Sequence, residues 1–237
     1  MGINLSINDY TTISKNYASL DNSGTALLAF KTIPSIIKKY AKGNKTLDYG
    51  CGSGSSTIFL DEIGLNVEGV DISQEMLFEA IQGNKKITYT EIKSAELPFQ
   101  NDFFDIVFSS FVLFEIPNKN ELKKVMIEIF RVLKKGGIFI GVTGSMQLYD
   151  HQWLSLDVDF EQNKHLKSGD IAKVLLKDAD LIVYDYYWTD NDYNEVFNES
   201  NLRILEKTFP LGESSDGYEW ADEKNHPPYV VYVLIKD

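Results

Sequence analysis

Leu47-Asp48-Tyr49-Gly50-Cys51-Gly52-Ser53-Gly54-Ser55-Ser56 is the stretch on which the reading of this chain turns. A short apolar run, Thr46 to Tyr49, enters a turn of alternating glycines, and Ser55 to Ile63 continues as a helix closed by Gly64. Glycine permits positive φ and puts no side chain between backbone and ligand. Such a strand–turn–helix lets a flat, extended cofactor lie across the carboxyl ends of the strands. Free N–H groups at the start of the helix favour an anion such as a carboxylate. A triphosphate loop would place Lys and then Ser or Thr after the last glycine, where Ser55 and Ser56 stand. A dinucleotide fingerprint would place glycine at position 55. Taken alone, the triplet reads equally well as a tight turn with no ligand. The second element is Asp71, in Gly69-Val70-Asp71-Ile72-Ser73, 17 residues beyond Gly54. A carboxylate there can accept two hydrogen bonds from a ribose diol. It could instead cap the next helix, a service that Ser73 already offers.

Outward from this loop the pattern is a short apolar strand followed by a helical segment, repeated, which argues a parallel sheet covered by helices on both faces. Upstream, Ala26 to Tyr40 has the apolar spacing of a helix with one buried face, bent at Pro34. Downstream, strands are expected over Val67 to Val70, Ile87 to Thr90, Phe104 to Phe108 and Ile138 to Val142. Between them come a helix from Ser73 to Gln82 and one capped by Asn120 and ended by Gly136-Gly137. After residue 147 the pattern changes. Ala172 to Leu176 and Leu181 to Tyr187 read as a hairpin, Asp190 to Asn198 as a short helix, and Leu202 to Phe209 and Tyr229 to Ile235 as the last two strands. The long, acidic and aromatic loop Leu211 to Pro228 is of a kind usually functional or disordered.

The 237 residues suffice for one domain. The expected division is a helical cover over 1–45, a cofactor-binding half over 46–143 and an acceptor-binding half with a hairpin lid over 144–237. A formal net charge of −12 disfavours a nucleic-acid partner, which needs a basic surface. The pairs Lys38-Lys39, Lys85-Lys86 and Lys123-Lys124 read as solvated faces. A single cysteine, Cys51, gives no internal disulfide. No apolar run reaches transmembrane length, and Met1 to Tyr10 shows no secretory pattern. These features point to a cytoplasmic protein with no membrane partner, a monomer or homodimer. The three histidines lack metal-ligand spacing.

Between Thr46 and Val142 the chain resembles the class I S-adenosylmethionine-dependent methyltransferases of small-molecule type. Beside the glycine loop and Val70-Asp71-Ile72-Ser73, the matching pieces are Ala95-Glu96-Leu97-Pro98-Phe99, Phe104-Asp105-Ile106-Val107-Phe108-Ser109-Ser110 and Leu133-Lys134-Lys135-Gly136-Gly137, in the family's order and spacing. The resemblance implies a doubly wound, mostly parallel seven-stranded α/β sheet. Its final strand would be antiparallel, inserted between the fifth and sixth, and an extra hairpin would follow the fifth. It implies S-adenosylmethionine as cofactor, with Asp48 and the Gly50 backbone facing the methionyl ammonium, Asp71 on the ribose and Ile72 on the adenine. Ala95 and Glu96 would sit at the adenine edge, and Ser109 and Ser110 on the wall toward the acceptor. Cys51, Gly52, Ser55 and Met76 complete the expected set, with Tyr10 and Tyr17 capping it. Two departures stand out: Ser94 replaces the aspartate that many relatives carry before the alanine, and Phe114 replaces their histidine.

Toward the acceptor, the aromatic concentration after residue 150 suggests a lid, with Trp153, Tyr186, Trp188 and Trp220 joining Phe114. His151 is the candidate general base. His226-Pro227-Pro228-Tyr229 is read as a stiff lead into a late strand, because Ser109-Ser110-Phe111 occupies the place where an amino-methylating Pro-Pro-Tyr motif would stand. The expected reaction is in-line methyl transfer to a small molecule at oxygen or nitrogen, driven mainly by positioning. The rivals are a nicotinamide oxidoreductase, a non-catalytic binding module and an RNA methyltransferase.

Overall fold

A computed structural model describes residues 7–237; residues 1–6 at the head of the N-terminal cover, including part of the stretch read for a secretory signal, lie outside them. The helices are α1 (Tyr10–Ala18), α2 (Leu27–Phe30), α3 (Ile33–Tyr40), α4 (Ser55–Glu62), α5 (Gln74–Gly83), α6 (Lys119–Val132) and α7 (Asp190–Glu199). The strands are β1 (Lys45–Tyr49), β2 (Asn66–Asp71), β3 (Thr88–Glu91), β4 (Phe104–Ser110), β5 (Leu133–Gly144), β6 (Leu156–Asp157), β7 (Ile171–Leu176), β8 (Leu181–Tyr186), β9 (Arg203–Thr208) and β10 (Tyr229–Ile235).

Seven strands form one sheet in the order β3-β2-β1-β4-β5-β10-β9. The first five pair in parallel, and β10 runs antiparallel between β5 and β9. The direction of the sequence order reverses at β1 and β4, the switch point over which open α/β sheets bind ligands.

Period-two alternation splits the core between the two faces of the sheet. Ile106, Phe108, Ile138, Ile140, Val231 and Val233 pack on one side with Phe30 and Ile33 of the N-terminal helices and Leu60 of α4. Val107, Phe139, Val230, Tyr232 and Leu234 face the other, against Leu122, Val125 and Ile129 of α6 and Val196 and Phe197 of α7. Burial on both faces is why these strands read as near-continuous apolar runs.

The structure corrects several local expectations. The helix over Ala26 to Tyr40 is two helices, and Pro34 sits in the first turn of α3, where its missing N–H costs nothing. Asn118 rather than Asn120 caps α6, its side chain accepting from Glu121 N at 3.0 Å. Gly136-Gly137 does not end that helix: α6 passes at Leu133 directly into β5, which carries both glycines. The hairpin of β7 and β8 is extended to three strands by β6. This small sheet and α1, which packs on α5 and β8, lie over the switch point.

Candidate active site

The turn between β1 and α4 is shaped by its own backbone. Gly50 and Gly52 have φ of +71° and +52°, a region that L side chains rarely adopt. A Cβ at Gly50 would also stand 2.3 Å from Val112 Cγ2. Gly50 and Cys51 both donate to the Val70 carbonyl, at 2.8 and 2.9 Å, which ties the turn to the end of β2. Asp71 holds it from the side, accepting from Gly52 N at 2.8 Å through Oδ2 and from Ser73 N at 2.9 Å through Oδ1. Burial raises the Asp71 carboxyl above its ordinary value, opposed by the N–H groups of Ser73, Gly52 and Ile72. Ser73 caps α5 by accepting from Met76 N at 3.2 Å.

Over this turn opens a cavity of about 240 Å³. Of the residues expected to hold a cofactor, Tyr10, Tyr17, Gly50, Cys51, Gly52, Ser55, Asp71, Ile72, Met76 and Ser110 line it. Ala95 and Glu96 do not; Ser94 and Ile92 stand in the wall instead. Ser94 has φ +38° and accepts from Tyr49 Oη at 3.1 Å through its carbonyl, so the chain turns away just after it. Ser109 lies below the wall, fully buried, donating to the Tyr49 carbonyl at 2.9 Å. Cys51 is buried at the turn. Its sulfur lies against Gly69, and burial pushes the thiol well above its ordinary pKa, which leaves it inert.

Asp48 is also not in the wall. It is fully buried beneath the turn, where its Oδ2 accepts from Ser56 Oγ and Thr57 Oγ1, each at 2.7 Å. Among the described residues its Oδ1 has no hydrogen-bond partner. Burial pushes its carboxyl up to about 6 against the two hydroxyls.

The acceptor end differs more from expectation. Phe114 lines the cavity, but Trp153, Tyr186, Trp188 and Trp220 do not. Trp153 is 1% exposed in the core and donates to the Leu148 carbonyl at 2.7 Å. Trp188 is buried with its Nε1 on the Ile116 carbonyl at 3.2 Å, and Tyr186 stacks on it. Trp220 packs on Tyr218 and donates to the Glu213 carbonyl at 3.1 Å. The long loop carrying it is pinned by fully buried Glu223, which accepts from Thr25 Oγ1 at 2.8 Å and Leu154 N at 2.6 Å. His151, the expected base, stands outside the cavity as well. It stacks on His226 at 3.8 Å between ring centroids, and its Nδ1 lies 2.5 Å from Asp150 Oδ1.

What does line that end was missed. Leu148, Val174, Val183 and Tyr229 supply apolar wall, and Asp185, Glu115 and Asp178 supply acids. Tyr10 Oη donates to Glu115, closing α1 over the cavity. Phe111 stands in the wall at φ +61°, strained for a bulky side chain and held between Tyr229 and Phe30 at centroid distances of 5.1 and 6.3 Å. The one sequence signal for it was its place directly after the Ser109-Ser110 strand end.

The cavity suits a nucleoside carrying a cation. Each Asp71 oxygen accepts one backbone N–H, and a carboxylate oxygen has a second lone pair for a hydroxyl. Asp48 adds an unpaired carboxylate oxygen under the turn. Among the described residues no Lys, Arg or His lines the cavity.

Comparison with known proteins agrees with this geometry. A family model described as a methyltransferase domain matches residues 47–141. An uncharacterized methyltransferase of Synechocystis is 34% identical over 110 residues, 46% of this chain and 51% of its own length. An uncharacterized protein of Methanocaldococcus jannaschii is 32% identical over 210 residues, 86% of this chain and 77% of its own. A malonyl-acyl-carrier-protein O-methyltransferase of Buchnera aphidicola is 24% identical over 195 residues, 73% of this chain and 77% of its own. The chain thus spans about half the length of the first of these relatives and 77% of the other two. Among solved structures, the CcbJ methyltransferase from Streptomyces caelestis superposes with a TM-score of 0.67 at 18% identity, covering 94% of this chain and 96% of that chain. An S-adenosylmethionine-dependent methyltransferase from Clostridium acetobutylicum gives 0.63 at 20%, covering 96% and 99%. At such identities the likeness is one of fold. The family match runs from β1 into β5, the half of the sheet that carries the glycine turn and Asp71, and the chain belongs to the class I S-adenosylmethionine-dependent methyltransferases.

Proposed function

We propose that this chain transfers the methyl group of S-adenosylmethionine to a small-molecule acceptor, at nitrogen or oxygen, by in-line displacement. The observation that carries the proposal is that one cavity joins Gly50, Gly52 and Asp71 at one end to Phe114, Val183 and Asp185 at the other. The cofactor supplies a methyl carbon already activated by a positive sulfur. What remains for the protein is to bind, align and exclude water. Asp71 holds the ribose hydroxyls through its free lone pairs, Ile72 and Met76 pack on the base, and the unpaired oxygen of Asp48 offsets positive charge above the turn. Tyr10 and Tyr17, packed edge to face at 5.5 Å, close the entrance from α1. A covered cavity of this size favours a metabolite over an exposed polymer site, and the net charge of −12 works against nucleic acid. No helix among the described residues is long and apolar enough to cross a membrane.

Calorimetric titration with S-adenosylhomocysteine, with NAD as control, tests the cofactor half. The expected result is micromolar binding of the former and none of the latter. Asp71→Ala should weaken binding by about 10- to 100-fold, since hydrogen bonds to a charged group contribute about 1.5–3 kcal/mol. Tight NAD binding, or an Asp71→Ala variant that binds like the wild type, refutes the assignment.

A further inference from the structure

Among the described residues, no cation balances one buried acid of the cavity. Asp185, in β8, is 3% exposed and stands in the wall of the acceptor end. Among the described residues its carboxylate takes a single hydrogen bond, from Tyr149 Oη to Oδ2 at 2.9 Å, which leaves Oδ1 without a donor. A buried carboxylate can accept on both oxygens, and an oxygen left without a donor inside a cavity is free to meet a ligand. The groups around it are acids or phenols: Glu115 after β4, Tyr10 and Tyr17 of α1, Tyr149 after β5, Tyr193 of α7 and Tyr229 of β10. The negative charge of Asp185 helps push those tyrosine hydroxyls upward. Burial in turn raises the Asp185 carboxyl to about 7, against the Tyr149 hydrogen bond. Of the remaining wall, Leu148, Leu156, Val174, Leu176, Val183 and Phe114 are apolar, and Ser155 and Asp178, the latter a further acid, are polar.

We propose that Asp185 is the acceptor-binding base, and that the acceptor is an apolar amine whose N–H groups meet its carboxylate. The inference rests on the methyl-transfer reading and names its substrate class. An ammonium acceptor gives one proton to Asp185, which becomes a neutral carboxylic acid. The nitrogen lone pair so freed forms the bond to the methyl carbon as the carbon–sulfur bond breaks, the bonding pair leaving on sulfur. The methylated amine departs as an ammonium, and Asp185 returns its proton to solvent. A carboxyl group that titrates near neutrality is the right strength for this exchange. An acceptor carrying a carboxylate or phosphate would instead face Asp185 and Glu115 with no cation among the described residues of the cavity to offset it.

The test is calorimetry on the full chain, with and without saturating S-adenosylhomocysteine, using size-matched probes: benzylamine and phenethylamine against benzoate and phenylacetate. Amines should bind at least about tenfold more tightly than the acids. Their affinity should rise from pH 6 to pH 8, as Asp185 ionises while the amines stay protonated. Asp185→Asn should lose both the preference and the pH dependence, yet bind S-adenosylhomocysteine within about twofold of the wild type, which shows that the variant is folded. Acids binding as well as amines, neither class binding, or an Asn variant that keeps the preference would each overturn the proposal. Failure of the wild type to bind S-adenosylhomocysteine would sink the methyl-transfer reading instead, and the titrations on the ligand-free protein keep the two failures apart.

Discussion

The two ends of the cavity are built differently. At the glycine turn nearly every determinant lies within a short stretch of chain: positive φ at Gly50 and Gly52, a carboxylate at Asp71 bonded back to Gly52 N, and a cap at Ser73. The acceptor end is assembled from β4, the segment after β5, the β7–β8 hairpin and β10, joined by contacts such as Tyr149 to Asp185 and Tyr10 to Glu115. The first end is shaped by a backbone turn with side chains from adjoining segments, the second by side chains from distant ones. Backbone geometry follows from residue type along the chain, whereas a wall of side chains exists only once distant segments have met.

The largest effect should come from Trp153, which belongs to the core rather than to the acceptor wall. Trp153→Ala empties a site 1% exposed and should cost about 3–5 kcal/mol in urea unfolding. A variant that kept its stability but lost acceptor binding would move Trp153 back into the lid and blur the comparison. Gly52→Val should follow. Valine at φ +52° with its Cβ 3.1 Å from Met76 Cε strains the turn, and S-adenosylhomocysteine binding should fall by about 100-fold, or about 3 kcal/mol, in calorimetry.

Asp48 sharpens the contrast from beneath the turn. Its native carboxyl titrates at about 6, above an ordinary aspartate, so the folded state holds the proton more tightly than the unfolded chain. Its contribution to stability is therefore full below the unfolded value and is lost as pH rises through about 6. Asp48→Asn keeps an acceptor for Ser56 and Thr57 and removes the buried charge. It should be about 1–3 kcal/mol more stable than the wild type at pH 8, with no gain at pH 3, and should bind S-adenosylhomocysteine about tenfold more weakly. Equal stability at pH 8 would mean that the charge is already compensated. The smallest effect belongs to His151→Ala, which should leave methyl transfer within about twofold, because the ring is held by Asp150 and His226 outside the cavity.

The same contrast explains which parts of the site were legible. Asp71, Ile72 and Ser55 could be placed because strand, turn and helix succeed one another and the alternation of glycines is local. Asp48 stands beneath the turn rather than in the cavity wall because its direction is set by Ser56 and Thr57, whose hydroxyls fold back under the turn. The tryptophans misled because an aromatic reads the same in a lid as in a core. What decided among them was a carbonyl partner for each indole N–H, at Leu148, Ile116 and Glu213. Asp185 gave no local signal; in Leu181-Ile182-Val183-Tyr184-Asp185-Tyr186 it is one acid in a strand.

Residue order along the chain suffices for the alternation of strands and helices, the doubly wound sheet and the position of the glycine turn, because periodicity and glycine chemistry act over a few residues. Which side chains face the cavity at its far end is set only by the packing of distant segments. Burial, the loss of hydration around Asp185 and the pairing of Glu115 with Tyr10 arise only when α1, the hairpin and β10 pack over the sheet.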